Sequence, residues 1–166
     1  MSALAWFRND LRSLDHPALS AAAADGDCRA LYILCPQQLD SHGIAPIRRH
    51  FLRRALDALA EQLAALGIPF DILDAGHFHN VPAALAQYCR QQRIRAVYAH
   101  EELLLDEIHR DQACRAALDI PLTLLDDCLV HPTLGAKDDG SPYKVFTPYS
   151  RRVRRRLREH FPQCLP

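Results

Sequence analysis

The sequence has no excess of either charge: twenty Lys and Arg balance twenty Asp and Glu across 166 residues. A chain so balanced carries no global field to hold a nucleic-acid backbone or an anionic membrane, so any such contact must be local. No window approaches the roughly 20 apolar residues of a membrane-spanning helix. Met1-Ser2-Ala3 runs straight into a buried-strand pattern, unlike a signal peptide. A cytoplasmic protein with no membrane partner is expected. The six cysteines never form a C-x-x-C pair, which disfavours a disulfide framework or a zinc site and suits reduced thiols, mostly buried as small hydrophobes. His77-Phe78-His79 offers two imidazoles but no identifiable third ligand, so a solvent-facing loop and no metal site is expected there. The six glycines never make G-x-G and no P-loop occurs, which disfavours NAD enzymes and nucleotide kinases. Internal repeats and low-complexity tracts are also missing.

What remains is 49% hydrophobic and 24% charged, the composition of a folded globular domain, and its length suffices for one core without staples. Short apolar runs alternate with helical patterns, which predicts parallel strands joined by crossover helices. Strands are expected over Leu4–Phe7, Ala30–Leu34, Phe70–Leu73, Ala96–Tyr98 and Leu122–Leu125. The clearest helix runs from about Ala45 to Leu66, where Leu52, Leu56, Leu59, Leu63 and Leu66 share one face. Gly67 supplies a left-handed cap after it and Pro69 forbids continuation. Further helices are expected over Ala18–Ala24, Val81–Gln92 and Glu107–Leu118, and a surface loop over Gly135–Pro142. The expected fold is α/β: a three-layer, doubly wound, five-stranded parallel sheet of Rossmann-like type. From Thr147 the chain is Arg-rich, and Arg151 to Arg158 are expected to spread around several faces of a solvated or domain-contacting helix.

In such a sheet ligands bind beyond the carboxyl ends of the strands, near the point where strand order reverses. The loop after the first strand reads Trp6-Phe7-Arg8-Asn9-Asp10-Leu11-Arg12, then Leu14-Asp15-His16-Pro17-Ala18-Leu19. It is either a ligand edge or a set of local ion pairs among Arg8, Asp10, Arg12 and Asp15. The loop after the fourth strand runs from His100 to Glu107, where Asp106 has the character of an N-cap and Glu107 suits the positive end of a helix.

The first of these loops is similar to the opening signature of DNA photolyases and cryptochromes, W-F-R-x-D-L-R followed by D-N-x-A-L. A second block, Tyr143-Lys144-Val145-Phe146-Thr147-Pro148-Tyr149, resembles that family's Y-K-V-F-T-P-F segment. The resemblance covers essentially the whole chain. It implies the N-terminal, antenna-binding domain of a deoxyribodipyrimidine photolyase, a carbon-carbon lyase that uses light to split cyclobutane pyrimidine dimers in DNA. It divides the chain into an α/β domain over 1–131 and a loop with an Arg-rich helical segment over 132–166, leading to an absent helical FAD-binding domain. Partners implied are that domain and, through the full-length protein, damaged DNA. With Trp6 its one tryptophan, this chain holds no tryptophan relay for reducing FAD and no catalytic residue, so by itself it is expected to repair nothing.

The same resemblance implies a 5,10-methenyltetrahydrofolate antenna. Folate-type relatives contact it through an Asn-Glu pair after the fourth strand and a His before the long helix. Placed by Tyr98 upstream and Arg110-Asp111 downstream, the pair falls on Asp106 and Glu107, and the His falls on His42. A carboxylate at Glu107 can accept both the 2-amino group and the ring N–H of a pterin edge. Asp106 stands where many relatives have Asn, and lacks its amide donor. Leu103-Leu104 replace a Tyr-Glu pair, making that rim more apolar. The domain alone is expected to retain the chromophore weakly or not at all. A light-signalling cryptochrome, or a stand-alone nucleotide- or partner-binding module, are the alternative readings.

Overall fold

The computed structural model describes residues 1–127, 132–161 and 163–165; Cys128, the proposed boundary at 131 and Pro166 lie outside the described residues. Among the described residues five strands form one parallel sheet: β1 (Ser2–Phe7), β2 (Cys28–Leu34), β3 (Phe70–Asp74), β4 (Ile94–His100) and β5 (Leu122–Leu125), in the order β3-β2-β1-β4-β5. β1 is central, buried along almost its whole length, and pairs with β2 through Ala5↔Ala30 and with β4 through Ala5↔Tyr98. Winding runs outward from β1 through β2 to β3, then returns to β4 and continues to β5. The reversal between β1 and β4 opens a crevice at their carboxyl ends.

Alternation along β1 separates two cores. Ala3, Ala5 and Phe7 face α1 (Pro17–Ala24) and α3 (Pro46–Ala65), meeting Leu19, Ala22, Leu59 and Leu63. Leu4 and Trp6 face the other side, where Val81, Leu85 and Tyr88 of α4 (Val81–Gln91) and Cys114 of α5 (Leu105–Ala117) close over them. The period of two in the strand thus builds a three-layer domain. Each fully buried Leu contributes about 1.5–3 kcal/mol relative to exposure. On α3 the buried stripe is Leu56, Leu59 and Leu63; Leu66 falls beyond the helix and is exposed. Gly67 takes φ +70, its N–H donating to the Ala64 carbonyl and that of Ile68 to Leu63, a Schellman cap.

Several segments depart from sequence expectation. A short helix, α2 (Pro36–Ser41), fills the stretch before α3, initiated by Pro36 and ending at His42. Phe78–Asn80 forms a 3-10 turn, with the His77 and His79 rings stacked 5.1 Å apart. α5 begins at Leu105 with Leu104 as N-cap, so Asp106 lies inside the first turn rather than capping it. Cys35, Cys89 and Cys114 are buried and Cys28 is half-buried, whereas Cys164 is exposed. Pro132–Gly135 forms a 3-10 turn, and a Cβ on Gly135 would lie 2.1 Å from the Tyr149 ring. Glycine there lets Tyr149 seat α6 (Phe146–Glu159) against that turn. On α6 the arginines occupy several faces, as expected: Arg152 is buried with Val153, Arg156 is half-buried, and Arg151, Arg154, Arg155 and Arg158 are exposed.

Candidate functional site

The crevice at the carboxyl ends of β1 and β2 is a cavity of about 290 Å³. Trp6 and Arg8 come from the end of β1, Cys35 from the end of β2, His42 from the end of α2, and Glu107 and Arg110 from the first turns of α5. The topology therefore brings His42 and Glu107 to one cleft from positions 65 residues apart in sequence. Glu107 is half-buried and His42 exposed, placing the first in the wall and the second on the rim. Asp106, one residue earlier on α5, lines a different groove with Phe78, His79 and His109. Adjacent residues on a helix point about 100° apart, and that turn carries Asp106 to the neighbouring groove.

The cleft wall is built on a buried charge cluster. Arg8 donates from Nη1 and Nη2 to the two carboxylate oxygens of Asp111, each at 2.9 Å, and from Nη1 to the His100 carbonyl at 2.8 Å. Arg110 donates to Asp111 through Nε at 3.0 Å and to Glu102 at 2.8 Å. Arg8 and Asp111 side chains are each 4% exposed. Both guanidinia also stack on Trp6, at 4.0 Å for Arg8 and 5.1 Å for Arg110. Burial, then the neighbouring Arg110, pulls the Arg8 guanidinium below its ordinary value, against the opposing pull of Asp111 and Glu102. Burial acts on Arg110 in the same direction, but Asp111 and Glu102 outweigh it and hold its value above the ordinary one. A bidentate fork held by two helix turns and a strand end makes this wall rigid.

Behind it, Asp10, His16 and His100 form a second cluster. Asp10 Oδ2 lies 2.5 Å from His100 Nδ1 and 3.1 Å from His16 Nε2. The remaining ring nitrogens accept: His16 Nδ1 from the Leu19 N–H at 2.9 Å, and His100 Nε2 from the Ala18 N–H at 3.2 Å. These atoms lie within 4.8 Å of one another, close enough to hold a cation. The outer nitrogens argue against one. A metal-bound imidazole must carry hydrogen on its other nitrogen, and here that nitrogen already faces a backbone N–H. The trio instead caps α1, with two imidazoles replacing the usual Ser or Asp side chain. Burial would raise the Asp10 pKa, but hydrogen bonds from His100, His16 and the Arg8 N–H outweigh it and hold the carboxyl well below the usual range.

The first loop is therefore not a set of local ion pairs. Arg8 finds Asp111, Asp10 finds His100, and Arg12 finds Asp127 at 2.5–2.9 Å, all across the sheet edge. His16 and Asp111 carried no sequence signal strong enough to mark them. One stood beside a proline and the other was a landmark after Arg110. Among the described residues no nucleophile and base are paired in the cleft; its chemistry is recognition by an acidic acceptor, an imidazole and an aromatic-backed cationic wall.

A family model described as DNA photolyase matches residues 3–166. The chain belongs to the DNA photolyase family. Among curated relatives of this family, the deoxyribodipyrimidine photo-lyase of Vibrio cholerae is 37% identical over 153 residues, covering 89% of this chain and 33% of the relative. That of Salmonella typhimurium is 33% identical over 167 residues, covering 98% and 35%. The chain thus spans about a third of the length of the photolyases it matches. A crystal structure of a Synechocystis cryptochrome superposes on 99% of the chain and 35% of its own with a TM-score of 0.84, at 24% sequence identity, which shows the same fold. Among the described residues no helix is long and apolar enough to cross a membrane.

Proposed function

We propose that this chain is the antenna-binding α/β domain of a deoxyribodipyrimidine photolyase, the enzyme that uses light to split cyclobutane pyrimidine dimers in DNA. The observation that carries the reading is the convergence of His42 and Glu107 on one crevice at the carboxyl ends of β1 and β2. The residues fit a pterin head. A half-buried carboxylate in the first turn of α5 can accept two parallel N–H groups, and an imidazole on the opposite rim can stack or donate. At about 290 Å³ the cavity stands at the lower limit for small-molecule sites, of a size for a fused bicyclic head rather than a whole folate. 5,10-Methenyltetrahydrofolate, when bound, would supply near-ultraviolet absorption. Glu107 would orient it, and Arg8 and Arg110 would stiffen the wall.

In this reading residues 132–166 lead to a helical domain that carries FAD and the main DNA groove, and Asp106 acts on the helix end rather than on the ligand. This chain alone performs no repair, because none of its residues supplies a redox centre. The test is a titration with 5,10-methenyltetrahydrofolate followed by near-ultraviolet absorbance. Loss of a charge-assisted pair of about 1.5–3 kcal/mol should weaken binding in Glu107→Ala by roughly 10- to 150-fold, with Asp106→Ala close to wild type. Binding unaffected by Glu107→Ala sinks the site assignment. Light-dependent dimer splitting by this polypeptide alone would sink the division of labour.

A further inference from the structure

Trp6 is the one indole in the chain, and it lines the crevice that His42 and Glu107 share. It is 2% exposed, yet two cations lie over its ring: the guanidinium carbon of Arg8 is 4.0 Å from the centroid and that of Arg110 is 5.1 Å away. Arg110 also stands 5.5 Å from the Phe78 ring on the crevice wall, so two aromatic rings fix its place. The balancing carboxylates, Asp111 and Glu102, are met through guanidinium N–H groups. Such bonds lie in the guanidinium plane, so the anions sit at its edges while the positive carbon stays over the indole.

An indole is an easily oxidised side chain, and a light-excited chromophore beside it is a stronger oxidant than the same molecule in its ground state. Trp6 would then give up one electron, leaving an indole radical cation and a reduced chromophore. Return of the electron would restore both, and the excitation would end as heat. We propose that Arg8 and Arg110 oppose that loss: fixed positive charge over Trp6 disfavours the indole radical cation, so the crevice can hold an excited chromophore without quenching it. The inference rests on the antenna reading and deepens it, since that reading gives Trp6 no role. A guanidinium does not lose its proton in a protein. With the Arg8 side chain 4% and the Arg110 side chain 8% exposed, water screens little of their field at the ring. A neutral side chain would fill the same space and leave the indole free to react.

The test begins without a chromophore. Flash-generated azide radical, an uncharged oxidant, takes one electron from Trp6 and becomes azide. The rate is followed by the visible absorbance of the indole radical, which Trp6 alone can give. A unit charge 5.1 Å away at an effective dielectric of about 20, with half of its effect expressed in the barrier, changes the rate roughly 10-fold. Arg110→Gln should therefore be oxidised faster than wild type by that factor. Arg110→Lys, which disturbs the packing but keeps the charge, should stay close to the wild-type rate. Should Arg110→Gln fail to fold by circular dichroism, Glu102→Gln/Arg110→Gln removes the cation without leaving its carboxylate unpaired. Equal rates in wild type and the Gln variant, or a Lys variant as fast as the Gln variant, overturn the proposal. The second arm is the fluorescence lifetime of 5,10-methenyltetrahydrofolate at saturation. It should shorten in Arg110→Gln and recover when Trp6→Phe is added, because a phenyl ring is far harder to oxidise. A lifetime that Arg110→Gln leaves unchanged, or that Trp6→Phe does not restore, also overturns the proposal. Failure of wild type to take up methenyltetrahydrofolate refutes the antenna reading instead, and the rates without chromophore then decide for or against the charge effect on Trp6.

Discussion

Replacing Asp111 by Asn removes the negative charge on which two buried guanidinia converge and turns one of its two acceptor oxygens into a donor. Arg8 keeps at most one of its two bonds to residue 111, with the His100 carbonyl at 2.8 Å and a Glu102 oxygen at 3.9 Å. Arg110 keeps Glu102 at 2.8 Å. Breaking a buried pair from one side costs about 3–5 kcal/mol because the remaining charge stays desolvated. With Glu102 still in place the lower end applies, about 3 kcal/mol. For a domain of this size each kcal/mol moves Tm by about 2–4 °C, so a fall of about 6–12 °C is expected. The measurement is thermal unfolding by circular dichroism with a urea titration for ΔG. The same argument makes Arg8→Met/Asp111→Leu less damaging than Asp111→Asn alone, since an apolar pair leaves Arg8's charge out of the site altogether. A Tm change under about 2 °C for Asp111→Asn, or a double variant worse than the single, would show that the cluster does not act as a desolvated pair.

Asp10 gives a pH-dependent outcome. Its folded-state pKa is depressed, so the stability it contributes is complete above the unfolded value of about 3.9 and is lost as pH falls toward the folded value. The advantage of wild type over Asp10→Asn should therefore be full at pH 6 and shrink below pH 4; a difference that stays constant between pH 6 and pH 3 in urea unfolding contradicts the hydrogen-bonded trio. Gly135→Ala places a Cβ 2.1 Å from the Tyr149 ring, and should lose about 1–3 kcal/mol by overpacking while altering the near-ultraviolet tyrosine signal; an unaltered spectrum and Tm would mean that α6 is not seated there. Thiol labelling should find Cys164 first, since it is exposed. Cys114 and Cys89, whose thiols burial pushes up to about 11 and about 12, should react only as fast as the domain unfolds, and rapid labelling of either in the folded state would refute their placement.

The strand and helix alternation was legible because each element announces itself locally. Leu122–Leu125 is found where it was expected, and α3 begins and ends within a residue of its periodic pattern, since Pro46 and Gly67 punctuate it by their own φ preferences. α2 was not legible. A six-residue helix has too few turns to show a period, and Pro36 alone reads equally as a loop residue. Asp106 was misplaced as a cap because capping character in sequence is a composition signal, while the helix start is set by where Leu104 leaves β-space.

What the amino-acid sequence by itself determined is the class of fold, the family signature from Trp6 to Leu19 and the chemistry available at His42 and Glu107. Those properties depend on residue type and short spacing, which a linear reading preserves. Only the tertiary structure decided who meets whom. Arg8 is 103 residues from Asp111, His16 and His100 meet on Asp10 from positions 84 residues apart with their rings 4.1 Å from each other, and four arginines of α6 gather outward because Arg152 and Val153 turn inward. Each of those pairings is set by strand order and helix packing, through desolvation and distance, and neither quantity exists until the chain is folded.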